Sequence, residues 1–210
     1  VPLLYAGLNG VLAALITSIV ILAASIYILN GFSSKTICAI IGTSTGIIIS
    51  GGLAMIAGSM SHLNGFNMTD VESMIYIANN SKLHVSDILY AGILISSLGA
   101  VMDVSVSIVA AITEIHEKAP HLKAKELFMS GMHVGHDMMG TMSNTLILAY
   151  TGSATGTLLT IYSYEMPYLQ FMGYNSIIIE IVCGLCGTIG VILTVPIQAF
   201  ITTMVLKVRK

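Results

Sequence analysis

An aspartate in the middle of an otherwise uncharged stretch is the residue of this chain with the most chemistry to offer. Asp103 stands in GAVMDVSVS, inside a run from Ile88 to Thr113 whose centre lies within about one helical turn of it. At the centre of a bilayer a carboxylate costs about 2.5–3.5 kcal/mol on insertion scales, and such groups usually face a bundle interior or an aqueous path, so they mark ion or proton routes by default. Ser107, Ala110 and Glu114 follow Asp103 at helical spacing, which puts polar groups on one face from mid-stretch to its end. The bland account is a protonated Asp103 hydrogen-bonded to a neighbouring helix, with Ser107 bonded to its own backbone.

A second polar run, SGMHVGHDMMGTMSNT, occupies residues 130–145. Asp137, Thr141, Asn144 and Leu148 share one helical face there. At a rise of about 1.5 Å per residue, Asn144 lies roughly 10 Å beyond Asp137 and approaches the depth of Asp103 on an antiparallel neighbour. Two facing strips result, Asp103/Ser107/Glu114 and Asp137/Thr141/Asn144, with the character of a lining for a small ion or solute. His133 and His136 form an i, i+3 pair beside Asp137, and Met129, Met132, Met139 and Met142 could add soft sulfur ligands. Thirteen methionines are spread through the chain as apolar filler, however, so no metal site is expected. Neither an HExxH motif nor a nucleophile–base arrangement is evident, and no enzymatic activity or cofactor is expected.

These strips need helices to carry them. Only 9% of the residues are charged and 55% are hydrophobic, whereas a soluble domain carries about 25% charge. The expectation is an all-α polytopic transmembrane bundle forming one domain over 1–210, with about five spanning helices near 3–29, 36–60, 88–113, 138–164 and 177–206. Short interfacial helices are expected around the capping-box pattern TDVE at 69–72, and over 119–131, where Leu122, Leu127 and Phe128 oppose Lys123, Lys125 and Glu126. The lipid bilayer is the expected partner. A net charge of −2 without basic–aromatic patches argues against nucleic acid.

In a five-span arrangement Lys35, Lys118, Lys123, Lys125, Lys207, Arg209 and Lys210 fall on one side and Lys82 on the other, which predicts a cytoplasmic C-terminus. Tyr162, Tyr164, Tyr168 and Tyr174 would form an aromatic belt at the opposite interface, near which Glu180 reaches headgroups. The tripeptide NMT at 67–69 fits a glycosylation sequon but is common by chance. Cys38, Cys183 and Cys186 all lie in apolar runs, so the CGLC spacing reads as packing rather than redox chemistry. Glycines four apart, Gly42/Gly46, Gly131/Gly135 and Gly152/Gly156, are candidate helix-packing points, and Pro196 is a candidate hinge in the last span.

Four motifs, NGFSSKT, GAVMDVSVSI, KELFMSGM and GTMSNTLILAYTG, resemble the YibE/F-like family of bacterial multi-pass membrane proteins. The similarity extends across nearly the whole chain. It implies a bacterial cytoplasmic (inner) membrane location. It also implies that the chain, which begins at Val1, is the C-terminal membrane core of a longer architecture, with a homo-oligomer or a paired family member as partner. Asp103, Asp137, Gly140, Thr141, Asn144 and Thr145 match the family pattern, which around the second strip resembles GMNIGRDIMGTMTNT. His133 replaces an Asn of that pattern and His136 an Arg, so a two-histidine metal site would be foreign to it. The resemblance carries no specific activity. A transporter or permease core is expected from the intramembrane carboxylate, the alternative being a non-transporting scaffold or accessory subunit.

Overall fold

The computed structural model describes residues 10–31, 33–60 and 85–208. In chain order they form α1 (Gly10–Asn30), α2 (Ser34–Met60), α3 (Val85–Lys118), α4 (Ala124–Ser153), α5 (Thr155–Ser163), α6 (Tyr168–Met172) and α7 (Asn175–Val208), with no strand among the described residues. The TDVE segment, the NMT sequon, Lys82, Arg209 and Lys210 lie outside them.

α1 stops where it does because Gly31 takes a left-handed backbone, φ 66°, while its N–H still bonds the carbonyl of Tyr27 at 2.9 Å. A residue with a Cβ would be strained there, and this left-handed cap lets the chain reverse within a few residues into α2. Thr36 then donates its hydroxyl back to the carbonyl of Gly31 at 2.7 Å, closing the hairpin.

α7 is the axial helix and touches α2, α3 and α4, while α1 lies against α2 and α3. The approach of α2 to α7 depends on missing side chains: the space above Gly42 is filled by Gln198, that above Gly46 by Thr194 and Val101, and that above Gly190 by Ser50. These contacts run in opposite directions along the two helices, so α2 and α7 are antiparallel. Around them Ile47, Val101, Val104, Ile108, Ile112, Val191 and Val195 are fully buried. In lipid, an apolar side chain gains little by leaving the solvent for another helix, so close packing and interhelical hydrogen bonds must hold such a bundle together. Gln198, fully buried, supplies one of these bonds, donating to the carbonyl of Cys38 on α2 at 3.0 Å, and a second bond within α7, to Thr202 Oγ1 at 3.2 Å, orients the amide. Ser50 adds bonds to Ser97 Oγ at 3.2 Å and to the carbonyl of Cys186 at 3.4 Å, joining α2, α3 and α7.

α1, α2, α3 and α7 are long and apolar enough to cross a membrane. α4 is not among them, and here the sequence expectation needs correcting. Residues 119–131 do not form a separate interfacial helix: the chain enters α4 after Lys123 and continues unbroken to Ser153, so the predicted surface helix and most of the predicted span 138–164 are one element. Leu127, expected on the inner leaflet, is fully buried, and beyond it Gly131 faces Ile112 of α3 while Gly135 faces Val195 of α7 and Ile108 of α3. Tyr150 near the other end of α4 donates to Ser96 of α3 at 3.0 Å. α4 therefore runs antiparallel to α3, packed along a helix that is itself long and apolar enough to span.

One end of the bundle collects the described lysines. Lys35 pairs with Glu117 at 3.2 Å, Lys118 with Glu114 at 2.6 Å, and Lys207 donates to the carbonyl of Leu122 at 2.6 Å. The last of these ties the end of α7 to the turn that launches α4.

The Gln198 seat above Gly42 yields a direct test. A Gly42→Leu side chain must displace a buried amide and separate α2 from α7, an overpacking effect costing about 1–3 kcal/mol or more. Thermal melting in detergent should show a marked loss of stability for Gly42→Leu, while Gly52→Leu, at a position with nothing above it, should melt like wild type.

Candidate functional site

The outward face of α3 repeats small and polar residues at helical spacing. Gly92, Ser96, Gly99, Asp103, Ala110 and Glu114 are all exposed, and Ser107 at the stripe's edge is half-buried. Asp103 lies close to the midpoint of α3. The residues behind it, Val101, Val104, Ser105 and Ile108, are buried in the bundle. A carboxylate predicted to face either the bundle interior or water thus faces away from the interior, towards whatever surrounds the chain. No hydrogen bond or ion pair holds the Asp103 side chain among the described residues, so the bland account of a carboxyl bonded to a neighbouring helix has no partner within them.

α4 presents the complementary half. Its inward side is Leu127, Gly131, Gly135 and Leu146, and its outward side is His133, His136, Asp137, Gly140, Thr141, Asn144 and Thr145, all exposed. The contact of Gly135 with Ile108 sets the register between the two helices. Five residues further along α4 is Gly140, and five residues back along α3 is Asp103, so the two stand at one level. Thr141 and Asn144 belong to the same level and the turn beyond it. Asp137 stands about one turn nearer the lysine-rich end, level with Ser107.

The hydroxyls on this face are already committed as donors. Thr141 bonds the carbonyl of Asp137 at 3.4 Å and Thr145 that of Thr141 at 2.9 Å, so both offer lone pairs outward. The Asn144 amide has no partner among the described residues. The face is therefore acceptor-rich, with the carboxylates Asp103 and Asp137 and the uncharged oxygens of Thr141, Thr145 and Asn144, as suits a cation or a proton-bearing solute. Glu114, at the end of the α3 strip, is engaged by Lys118.

The histidines do not assemble a metal centre: among the described residues no three of His, Cys, Asp and Glu stand together as a ligand set. Of the glycine pairs, Gly42/Gly46 and Gly131/Gly135 are packed under neighbouring side chains, whereas Gly152 and Gly156 have nothing above them and lie exposed, contrary to a packing role within this chain. Pro196 follows Val195, the side chain seated on Gly135, and precedes Gln198 by two residues. Reading the sequence for charges overlooked Gln198, although Thr194, Gln198 and Thr202 repeat every four residues in the last span and form a visible polar line.

A direct probe of the α4 face uses substituted cysteines, because Cys38, Cys183 and Cys186 are all buried and give little background. In native membranes, Thr141→Cys and Asn144→Cys should react with a water-soluble maleimide at least about tenfold faster than Leu146→Cys, which is buried against the bundle. Equal, slow rates at all three would show that water does not reach this face.

A family model described as YibE/F-like protein matches residues 1–208. No curated protein and no solved structure matches the chain.

Proposed function

The chain belongs to the YibE/F-like family, and on the polar faces of α3 and α4 we propose that it is the core of a membrane transporter or permease for a small cation, a proton or a small solute. The observation that carries this reading is the position of Asp103: midway along α3, directed outward, and level with the Gly140–Asn144 turns of α4. Lipid offers such a group neither hydrogen bonds nor counter-charge, and intramembrane acids face protein or water rather than acyl chains. The α3 and α4 faces then line one side of a polar route, and a second membrane surface closes the other.

In this arrangement Asp137 gathers cations at the lysine-rich end, Thr141 and Asn144 supply uncharged ligands, and Asp103 takes the ion or proton at mid-depth. Ser107 continues the line from Asp103 towards Glu114, whose pairing with Lys118 keeps the mouth from holding a cation too tightly. Pro196 removes a backbone donor from α7 beside the α4 contact, which lowers the cost of bending there. The gathering of Lys35, Lys118, Lys123, Lys125 and Lys207 at one end supports a cytoplasmic placement of that end in the inner membrane.

The alternative is a scaffold or accessory subunit in which the same faces bind another membrane protein without passing a solute. Gly92, Gly99 and Gly140 favour it, since with nothing above them they let a foreign helix come close.

Reconstitution into proteoliposomes separates the two. If the chain transports, Asp103→Asn should reduce the flux of the coupled ion by more than about tenfold while leaving the detergent melt close to wild type. Absence of flux from folded wild-type protein, with Asp103→Asn instead weakening assembly, would assign the scaffold role.

A further inference from the structure

Glu180 lies in the second turn of α7, at the end of the bundle away from the described lysines, between two shallow grooves separated by Tyr150. One groove, about 400 Å³, runs between the α4–α5 junction and α7 and is lined by Ile147, Thr151, Ala154, Ile177, Ile181 and Leu185. The other, about 380 Å³, runs between α3, α4 and α7 and is lined by Leu89, Gly92, Ile93, Leu146, Ile179 and Cys183. Tyr150 and Glu180 border both. The grooves descend from Glu180 towards mid-depth, one as far as Thr188, the other to Ser96 and Leu146.

The carboxylate is short of donors. Its contact among the described residues is Ser153 Oγ, at 3.0 Å, and that same hydroxyl sits 2.8 Å from the carbonyl of Tyr150. A serine hydroxyl has one proton, so it cannot fully serve both acceptors, whereas a carboxylate has room for about four donors. Every described lysine and histidine lies at the other end or, for His133 and His136, on the outward face of α4. A cation with several N–H donors is what this group lacks.

We propose that the site binds a two-chain phospholipid bearing a primary ammonium headgroup. Its acyl chains occupy the grooves on either side of Tyr150, and its ammonium donates to Glu180. Charge complementarity selects the headgroup: a primary ammonium offers three N–H donors, a quaternary one offers none, and an anionic headgroup is repelled. The paired grooves select the tails, since a single-chain amphiphile fills only one of them. The site borders the α3 stripe at Gly92 and Ser96 but uses neither Asp103 nor the Asp137–Thr145 face of α4, so lipid binding can be tested apart from transport.

Native mass spectrometry of delipidated protein with phosphatidylethanolamine, phosphatidylcholine and phosphatidylglycerol of identical acyl chains provides the test. Wild type should bind the primary amine lipid at least about fivefold more tightly than the other two. Glu180→Gln should abolish the preference while retaining some binding, and Glu165→Gln, in the exposed turn after α5, should retain it. Thr188→Phe, which fills the far end of the first groove two turns of α7 away from Glu180, should weaken all three lipids and serves as a second arm if Glu180→Gln does not fold. Equal binding of the three lipids by wild type, or a preference unchanged in Glu180→Gln, would overturn the proposal. So would a dimer that carries no lipid, which would assign the grooves to a second copy of the chain.

Discussion

Close approach between α2 and α7 is the constraint from which the rest of the bundle follows. Where helices and solvent are equally apolar, burying another leucine does little, and the separation of two backbones decides how many atoms they bring into contact. Gly42, Gly46 and Gly190 reduce that separation, and Ser50, Thr194 and Gln198 occupy the room they leave. Each such polar contact is modest, averaging about 0.6 kcal/mol in measured membrane cycles, but its geometry is demanding. Gln198 can bond the carbonyl of Cys38 only in one register of α2 against α7. The glycines supply proximity and the glutamine supplies register.

That axial pair makes a place for α4, the most polar of the long helices. α4 does not have to be apolar all round because α3 and α7 cover its inward side through Leu127, Gly131, Gly135 and Leu146. Its outward side is then free to carry Asp137, Thr141 and Asn144. The same logic holds for α3, whose aliphatic side seals the bundle while its other side carries Asp103. Both helices are divided lengthwise, one half buried in the bundle and the other exposed and polar.

Much of this was legible in the residues. The long apolar runs gave the all-helical class and the approximate limits of the helices, and the lysines predicted which ends lie together. Helical spacing alone put Asp103 in line with Ser107, and Asp137 in line with Asn144. What could not be read was the course of residues 119–137: their charges suggested a surface helix, but the burial of Leu127 and Gly131 is a property of α3 and α7 and leaves no local signature. For the same reason the direction of Asp103 was hidden. A helix face can be recognised from spacing, but whether it turns inward or outward depends on which neighbours arrive, and Val101, Val104 and Ile108 won the interior because they fit against α7. Gln198 was legible as a polar residue in an apolar span, yet its seat above Gly42 required both helices to be placed.

Under the proposed function, the place of Asp103 near the midpoint of α3 has an electrical consequence. Carrying one elementary charge across the whole membrane changes its energy by about 2.3 kcal/mol per 100 mV of potential, and the field falls over the hydrocarbon thickness. A charge that reaches Asp103 from either side traverses roughly half of that drop, about 1.1 kcal/mol per 100 mV by the same relation. In the proposed transport role its occupancy would respond to voltage with comparable steepness and opposite sign according to the side of entry, so a cell's resting potential would itself bias the direction from which this carboxylate is filled.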